Sequence, residues 1–248
     1  MQEVRGGVWF AQTDQTSQIA ECLGAQGLFA PAESRWYGAF ASGNALISHL
    51  PIKWWYRTPL PRTYDRSHRN LVLASVEHRG QAFRVLLTHI VRRDERERVA
   101  QLAAVIPLFL SLQPPALLLG DLNTTADDPH IQRLLATPGV EDPLAHRVQL
   151  RTAERVDWIL ARGFRTVDAG LIDRGASDHP LVWAELEIVS GPADDEAIGG
   201  GGPVQRDASP LEAARLASSE PRDRPPSAPK LGLFQGVSSG GRLCSGSR

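Results

Sequence analysis

Ala116-Leu117-Leu118-Leu119-Gly120-Asp121-Leu122-Asn123 is the stretch that most constrains what this chain can become. Four consecutive apolar residues are too few for a helix and show no polar face, which describes a strand covered on both sides. Such a strand needs a sheet around it and further layers above and below, so the architecture is α/β. The run then stops at glycine and delivers an aspartate and an asparagine two residues apart. In extended chain, residues two apart face the same side, here one as acceptor or base and one as amide donor. The same pair is also ordinary turn chemistry, and both readings stand at this point.

Other apolar runs end or begin in the same way. Gln2-Glu3, Thr88-His89 and Ser177-Asp178-His179 place acids and histidines at strand ends, and Asp157 lies inside Val156-Asp157-Trp158-Ile159-Leu160. Polar residues at the ends of rigid strands are where a scaffold presents a site. A carboxylate in a half-buried strand needs a partner. For Asp157 that is a histidine, whose tautomer it would fix, or else Arg155 or Arg162. Asp178-His179 pairs an oxygen donor with an imidazole suited to proton transfer near neutral pH, or it is a polar loop before the last strand.

Around these runs the pattern predicts a helix over Gln15–Leu23, capped by Thr13 or Asp14, and a hairpin of Asn70–Val76 and Phe83–Thr88 turning at Arg79-Gly80. A helix is expected over Arg93–Leu112, with Pro107 kinking it or reshaping its last turns. Another opens at Asp128-Pro129. Val156–Leu160, Arg165–Asp168 and Leu181–Ile188 read as the closing strands. Beyond Ser190 the composition changes: 26 of the last 59 residues are Gly, Pro or Ser. Such a segment buries too little apolar surface to offset its ordering entropy. The expected organisation is one domain over 1–189 and a disordered tail over 190–248.

Lys and Arg total 27 against 28 Asp and Glu, so bulk charge makes no case for a nucleic-acid or membrane-surface partner. Two distant cysteines, Cys22 and Cys244, exclude a disulfide-dense scaffold and a cysteine zinc cluster. No apolar run is long enough to cross a membrane as a helix. No signal peptide is read in the chain as given, and no obligate protein partner is inferred.

Taken in order, Met1-Gln2-Glu3-Val4, Gly43-Asn44-Ala45-Leu46-Ile47-Ser48 with Pro51-Ile52, Thr88-His89-Ile90, Gly120-Asp121-Leu122-Asn123, Arg155-Val156-Asp157-Trp158-Ile159 and Ser177-Asp178-His179 resemble the endonuclease/exonuclease/phosphatase superfamily, the deoxyribonuclease I-like fold. The resemblance spans about 1–189. It implies a four-layer α/β/β/α sandwich, a divalent metal (Mg²⁺ or Mn²⁺), and hydrolysis of a phosphodiester or phosphomonoester in a nucleic acid, phospholipid or inositol phosphate. By resemblance Glu3 is a metal carboxylate and Asp178 an auxiliary metal-directed acid. Asp121 positions or deprotonates the attacking water, and Asn123 orients the phosphate or that water. His179 acts on the scissile phosphate with Asp157 orienting it. His89 is the second histidine of deoxyribonuclease-type members, and Asn44 reaches the substrate. The physics agrees, because a phosphate ester's anionic oxygens repel a nucleophile until a hard cation and aimed donors offset the charge.

The family pattern places a strand before the Gln-Glu motif, ending in an Asn of the metal site. The chain begins at Met1, where that motif usually has Leu, so the sandwich is expected without its first strand, as a fragment or from a misplaced start. An alternative reading follows, a catalytically inactive remnant that serves at most as a binding module. A third, nucleic-acid binding without hydrolysis, rests on Arg57, Arg62, Arg66, Arg69, Arg92 and Arg93, which are otherwise solvated surface. Trp36, Tyr37, Trp54, Trp55 and Tyr56 either stack on a substrate or pack under a loop.

Overall fold

A computed structural model describes residues 1–6, 15–35, 40–61, 69–145, 154–173, 177–189 and 230–235. Thr13, Asp14, Trp36, Tyr37, Arg62, Arg66 and most of 190–248 lie outside them.

The central layer is a five-stranded sheet in the order β4-β5-β6-β7-β8. Its strands are β4 (Ile52–Pro59), β5 (Asn70–His78), β6 (Gln81–His89), β7 (Ala116–Asp121) and β8 (Asp157–Arg162). β5 and β6 form the expected hairpin, with Arg79 and Gly80 at φ 51° and 80° in its turn. Two positive φ values suit the right-handed twist of the flanking strands. β6 and β7 are parallel and therefore need a crossover, supplied by α2 (Glu95–Ser111). The Asp94 side chain caps this helix by accepting from the Glu97 N–H at 2.9 Å. Pro107 lies within α2, which runs on to Ser111. α3 (Pro129–Leu135) starts as predicted, with Asp128 as its cap.

β7 explains the layering. All six of its residues are buried. Leu117 and Leu119 face one core, with Val85 and Leu87 of β6 and Ile159 and Ala161 of β8. Ala116 and Leu118 face the other, against Leu102, Val105 and Phe109 of α2. Each fully buried leucine contributes about 1.5–3 kcal/mol, so a strand this apolar is stable only between two layers.

The facing layer consists of two three-stranded sheets, β1-β3-β2 and β11-β10-β9. β1 is Val4–Gly6, β2 Gln26–Arg35, β3 Phe40–Ser48, β9 Phe164–Ile172, β10 Leu181–Ile188 and β11 Lys230–Gln235. β10 alternates as expected, burying Val182, Ala184, Leu186 and Ile188. α1 (Gln15–Leu23) packs on the first of these sheets, with Thr16 and Ala20 against Gly27. The result is a four-layer α/β/β/α sandwich. Among the described residues β1 pairs only with β3.

β11 differs from the expectation of a tail without secondary structure. It pairs antiparallel with β10 from Glu187↔Lys230 to Val182↔Gln235. Leu231 and Leu233 stand opposite Leu186 and Ala184. An alternating Leu-Gly-Leu run thus finds the open edge of β10, a short-range pattern that the Gly/Pro/Ser composition around it conceals. β2, β3 and β4 were also not marked as strands. Gly27 and Pro31 interrupt β2 and Gly43 interrupts β3, and register shifts at Pro31/Glu33 and Ile52/Trp54 break the alternation of β2 and β4.

Candidate active site

The site follows from strand register. His89 is the last residue of β6, Asp121 the last of β7 and Asp157 the first of β8. His89 is aligned with Asp121, and Asp121 with Asp157. Side chains two apart share a face, so these three continue the inner-face series Val85-Leu87, Leu117-Leu119 and Ile159-Ala161. They stand in one row at one end of the sandwich, and all three are buried.

Gly120 lets the row close. A Cβ there would sit 2.1 Å from the Thr88 carbonyl oxygen, so only glycine allows β7 to lie this close to β6 beside the site. Asn123 lies just beyond, at φ 46°. Of the two readings the turn is the one the structure shows, and the turn itself brings the two side chains together. The Asn123 N–H donates to Asp121 Oδ1 at 2.8 Å. Asn123 Nδ2 donates to Asp121 Oδ2 at 3.1 Å and to the Ile90 carbonyl at 2.8 Å. Its backbone N–H and one side-chain amide hydrogen hold the Asp121 carboxylate, and the Ile90 carbonyl takes the other.

His179 reaches the row from the loop that leads into β10. The Ser177 hydroxyl accepts from its backbone N–H at 3.1 Å. Its Nδ1 lies 2.6 Å from Asp157 Oδ2. Neither alternative partner is engaged with Asp157, because Arg155 pairs with Asp142 and Arg162 donates to the carbonyls of Phe109, Leu110 and Leu112. Ligand atoms of Asp121, Asp157 and His179 all lie within 4.8 Å of one another.

The remaining residues expected at the site flank this group. Glu3 is exposed, at φ 54°. It lines a cleft with Gly43, Asn44, Arg69, Asn70 and His89. Asn44 is buried and donates to the Asn70 side chain at 2.9 Å. Asp178 is exposed, and its charge acts on His179. Glu3 and Asp178 therefore stand outside the Asp121–Asp157–His179 group. Gln2, beside Glu3, is fully buried, with neither side-chain polar atom partnered among the described residues.

Burial dominates the electrostatics. It raises the Asp121 pKa to about 7, helped by the neighbouring Asp157 charge and opposed by the Asn123 N–H, His179 and Arg69. It lowers His89 to about 3, with Arg69 and His179 adding to the effect, so His89 is neutral. His89 Nε2 lies 3.4 Å from Asp121 Oδ2. Burial also pulls His179 down. The Asp157 hydrogen bond and the charges of Asp157, Asp121 and Asp178 outweigh it and leave His179 above its ordinary value.

Arg69, which the sequence offers only as one of six arginines for nucleic-acid binding, and Asn70, which it offers only as the start of a strand, also line this cleft. Both stand at the start of β5, whose first residues lie beside the end of β6. That placement was readable: a polar pair opening an apolar strand antiparallel to one that ends in histidine comes to the same end of the sheet. Among the aromatics, Trp54 lies under Arg84, 5.0 Å from the guanidinium, and beside Tyr56, with ring centroids 5.3 Å apart. Trp55 packs on the inner core. Arg57 donates to the Pro31 carbonyl at 2.8 Å.

Residues 1–179, which carry all of these side chains, match the Endonuclease/Exonuclease/phosphatase family. The chain belongs to that family. Members of the endonuclease/exonuclease/phosphatase family are hydrolytic phosphoesterases, nucleases among them. Solved structures share its fold at low identity. The human Nocturnin catalytic domain with bound sulfate is 17% identical over 70% of this chain and 76% of its own, with a TM-score of 0.55. The mannosyl-6-phosphatase of Bacteroides thetaiotaomicron is 17% identical over 69% of this chain and 80% of its own, at 0.53. A family protein of Leptotrichia buccalis is 16% identical over 73% and 83%, at 0.52. No curated protein matches the chain in sequence. Among the described residues no helix is long and apolar enough to cross a membrane.

Proposed function

We propose that this member of the endonuclease/exonuclease/phosphatase family is a divalent-metal-dependent phosphoesterase, with Asp121 and His179 as its proton-transfer pair. The observation that carries this reading is the Asp157–His179 contact formed across the sandwich beside the Asp121 carboxylate. Asp157 holds Nδ1, which directs Nε2 of a protonated His179 outward as the acid. Asp121, raised to about 7, is basic enough to take a proton at neutral pH. Asn123 fixes its orientation. In the reaction a water oxygen forms a bond to phosphorus as the bond to the leaving oxygen breaks. The water proton passes to Asp121, and His179 Nε2 gives its proton to the leaving oxygen. Asn44 and His89 line the approach to this pair.

The donor set fits a hard divalent cation. Asp121 and Asp157 are adjacent buried carboxylates whose mutual repulsion lifts the Asp121 pKa, and carboxylate oxygens are the donors that Mg²⁺ and Mn²⁺ prefer. Asp121 and Asp157 would hold it, with Glu3 of the adjoining cleft as a further oxygen donor. When bound, such an ion neutralises phosphate charge.

The test is hydrolysis of bis-p-nitrophenyl phosphate, a diester, and of mannose 6-phosphate, a monoester, by the full chain. Each is run with Mg²⁺ or Mn²⁺, with EDTA, and with His179→Ala. Activity that EDTA and His179→Ala both abolish is the expected result. A folded chain inactive on both esters refutes the reading in favour of an inactive binding module.

A further inference from the structure

Cys22 is disulfide-bonded, and the chain has one other cysteine, Cys244. Within one chain the partner is therefore Cys244, and the bond ties together both halves of the facing layer. Cys22 lies at the end of α1, which packs on the β1-β3-β2 sheet. Cys244 follows by nine residues β11, the edge strand of the β11-β10-β9 sheet. Nine residues reach up to about 30 Å in extended chain, a span of about six strand spacings. Among the described residues no strand pairing joins the two sheets, so the bond is a covalent link across the seam between them.

β11 has need of such a link. Its register on β10 is specific: Lys230 opposes Glu187, Leu231 opposes Leu186, Leu233 opposes Ala184 and Phe234 opposes Trp183. These are one opposite-charge, two apolar and one aromatic pairing. Yet the strand is six residues long and follows 190–229, a stretch rich in Gly, Pro and Ser. Ordering a short edge strand at the end of such a tether offsets most of what the pairing contributes. A covalent stop just beyond β11 leaves the undocked strand far fewer arrangements. The docked strand ends beside the site, because Gln235 opposes Val182, three residues after His179. We propose that a Cys22–Cys244 disulfide is a redox-labile clamp that holds β11 on β10 and so keeps His179, at the head of β10, in position against Asp157. Cys22 is exposed, so a small dithiol reaches the bond. One thiolate of the dithiol attacks a protein sulfur and forms a mixed disulfide, and its second thiolate then displaces the protein sulfur. The protein takes up two electrons and two protons, and the dithiol leaves as its cyclic disulfide. The clamp itself is independent of the phosphoesterase reading, and its effect on turnover rests on that reading.

The test uses the full chain, oxidised or reduced with dithiothreitol, beside Cys22→Ser and Cys244→Ser. Non-reducing peptide mapping of the oxidised monomer is expected to recover a Cys22–Cys244 cross-linked peptide. Amide exchange at Val182–Glu187 is expected to quicken at least about fivefold on reduction. Both serine variants exchange like reduced wild type, with or without dithiothreitol. In metal-free protein the His179 ring resonances shift on reduction, while those of His130 on α3 stay in place. In bis-p-nitrophenyl phosphate hydrolysis with Mg²⁺ and no reductant, kcat of Cys244→Ser falls at least about threefold below oxidised wild type, with KM within about twofold. Free thiols in the oxidised chain overturn the proposal, and so does a Cys22–Cys22 link between two copies. It is overturned as well if β10 exchange, the His179 resonances or, in an active enzyme, kcat do not differ between clamped and unclamped chains. A chain that shows the cross-link, the redox-dependent exchange and the His179 shift but hydrolyses neither ester refutes the phosphoesterase reading and leaves the clamp standing.

Discussion

Asp157→Asn tests the centre of the mechanism with little change in shape. The substitution keeps the size of the side chain and removes the charge 2.6 Å from His179 Nδ1. A hydrogen bond to a charged group contributes about 1.5–3 kcal/mol. At about 1.4 kcal/mol per decade of rate, kcat/KM should fall by about 10- to 150-fold. The pH dependence is more diagnostic than the rate. Asp157 raises His179, which must be protonated to act as acid, so activity fades as pH rises through the His179 pKa. Asp157 also raises Asp121, which must be ionised to act as base, so activity fades as pH falls through the Asp121 pKa, about 7 in metal-free protein and lower with a cation bound. Removing the Asp157 charge lowers both pKa values, and the whole bell moves toward acid. The assay is the kcat/KM profile for bis-p-nitrophenyl phosphate, paired with an NMR titration of the His179 ring in metal-free protein. A variant within twofold of wild type, with an unmoved His179 midpoint, would refute the reasoning.

Three further outcomes follow from the same geometry. Asp121→Asn should abolish hydrolysis yet raise stability in metal-free protein at pH 8. The folded-state pKa of Asp121 lies above its ordinary 3.8, so its stabilising contribution is full below 3.8 and lost as pH rises through about 7. By linkage the full loss is on the order of 4 kcal/mol, and roughly 3 kcal/mol of it falls between pH 5 and 8, where urea midpoints read it. Gly120→Ala, which drives a methyl to 2.1 Å from the Thr88 carbonyl, should cost about 1–3 kcal/mol and lower the melting temperature by several degrees in a calorimetric scan. Ending the chain after Val189 removes β11 from the β10 edge. Amide exchange along β10 should then quicken, and unchanged protection would show that β11 does not hold that edge.

Much of this fold could be read from single runs. β7 announced itself by four apolar residues in succession, and β10 by strict alternation. α2 and α3 were marked by an aspartate cap or a proline at the first turn. What escaped had its cause elsewhere in the chain. β2 carries Gly27 and Pro31, and its stability comes from pairing with β3 and from α1 lying against it. β11 is six residues in a composition that argues for disorder, and what orders it is the edge of a strand more than 40 residues earlier. At the site, each residue type was legible but the convergence was not. Asp121, Asp157 and His89 come together through strand register, a property of pairs of strands. Arg69 looked like one surface arginine among six because nothing local says that it lines the cleft.

The site is assembled against the preferences of the chain, and that is evidence about what it does. Of the three described non-glycine residues with positive φ, Arg79 occupies a tight turn, where that conformation is usual. The other two are at the site: Glu3 lines the cleft with His89, and Asn123 holds Asp121. Such conformations cost about 1–3 kcal/mol each and persist where the surroundings dictate them. Asn123 is dictated by Asp121 and the Ile90 carbonyl, so its strain holds a carboxylate in one orientation. That carboxylate is itself unfavourable where it sits, buried beside Asp157. A sheet as apolar as β5–β8 supplies enough burial to carry both penalties. Replacing the row with leucines, continuing the series that precedes it on each strand, would give a more stable sandwich. The phosphoesterase reading gives the row a use: a strained amide fixes a carboxylate that ionises near neutral pH, and a second carboxylate across the strand pair favours the charged form of the histidine facing it.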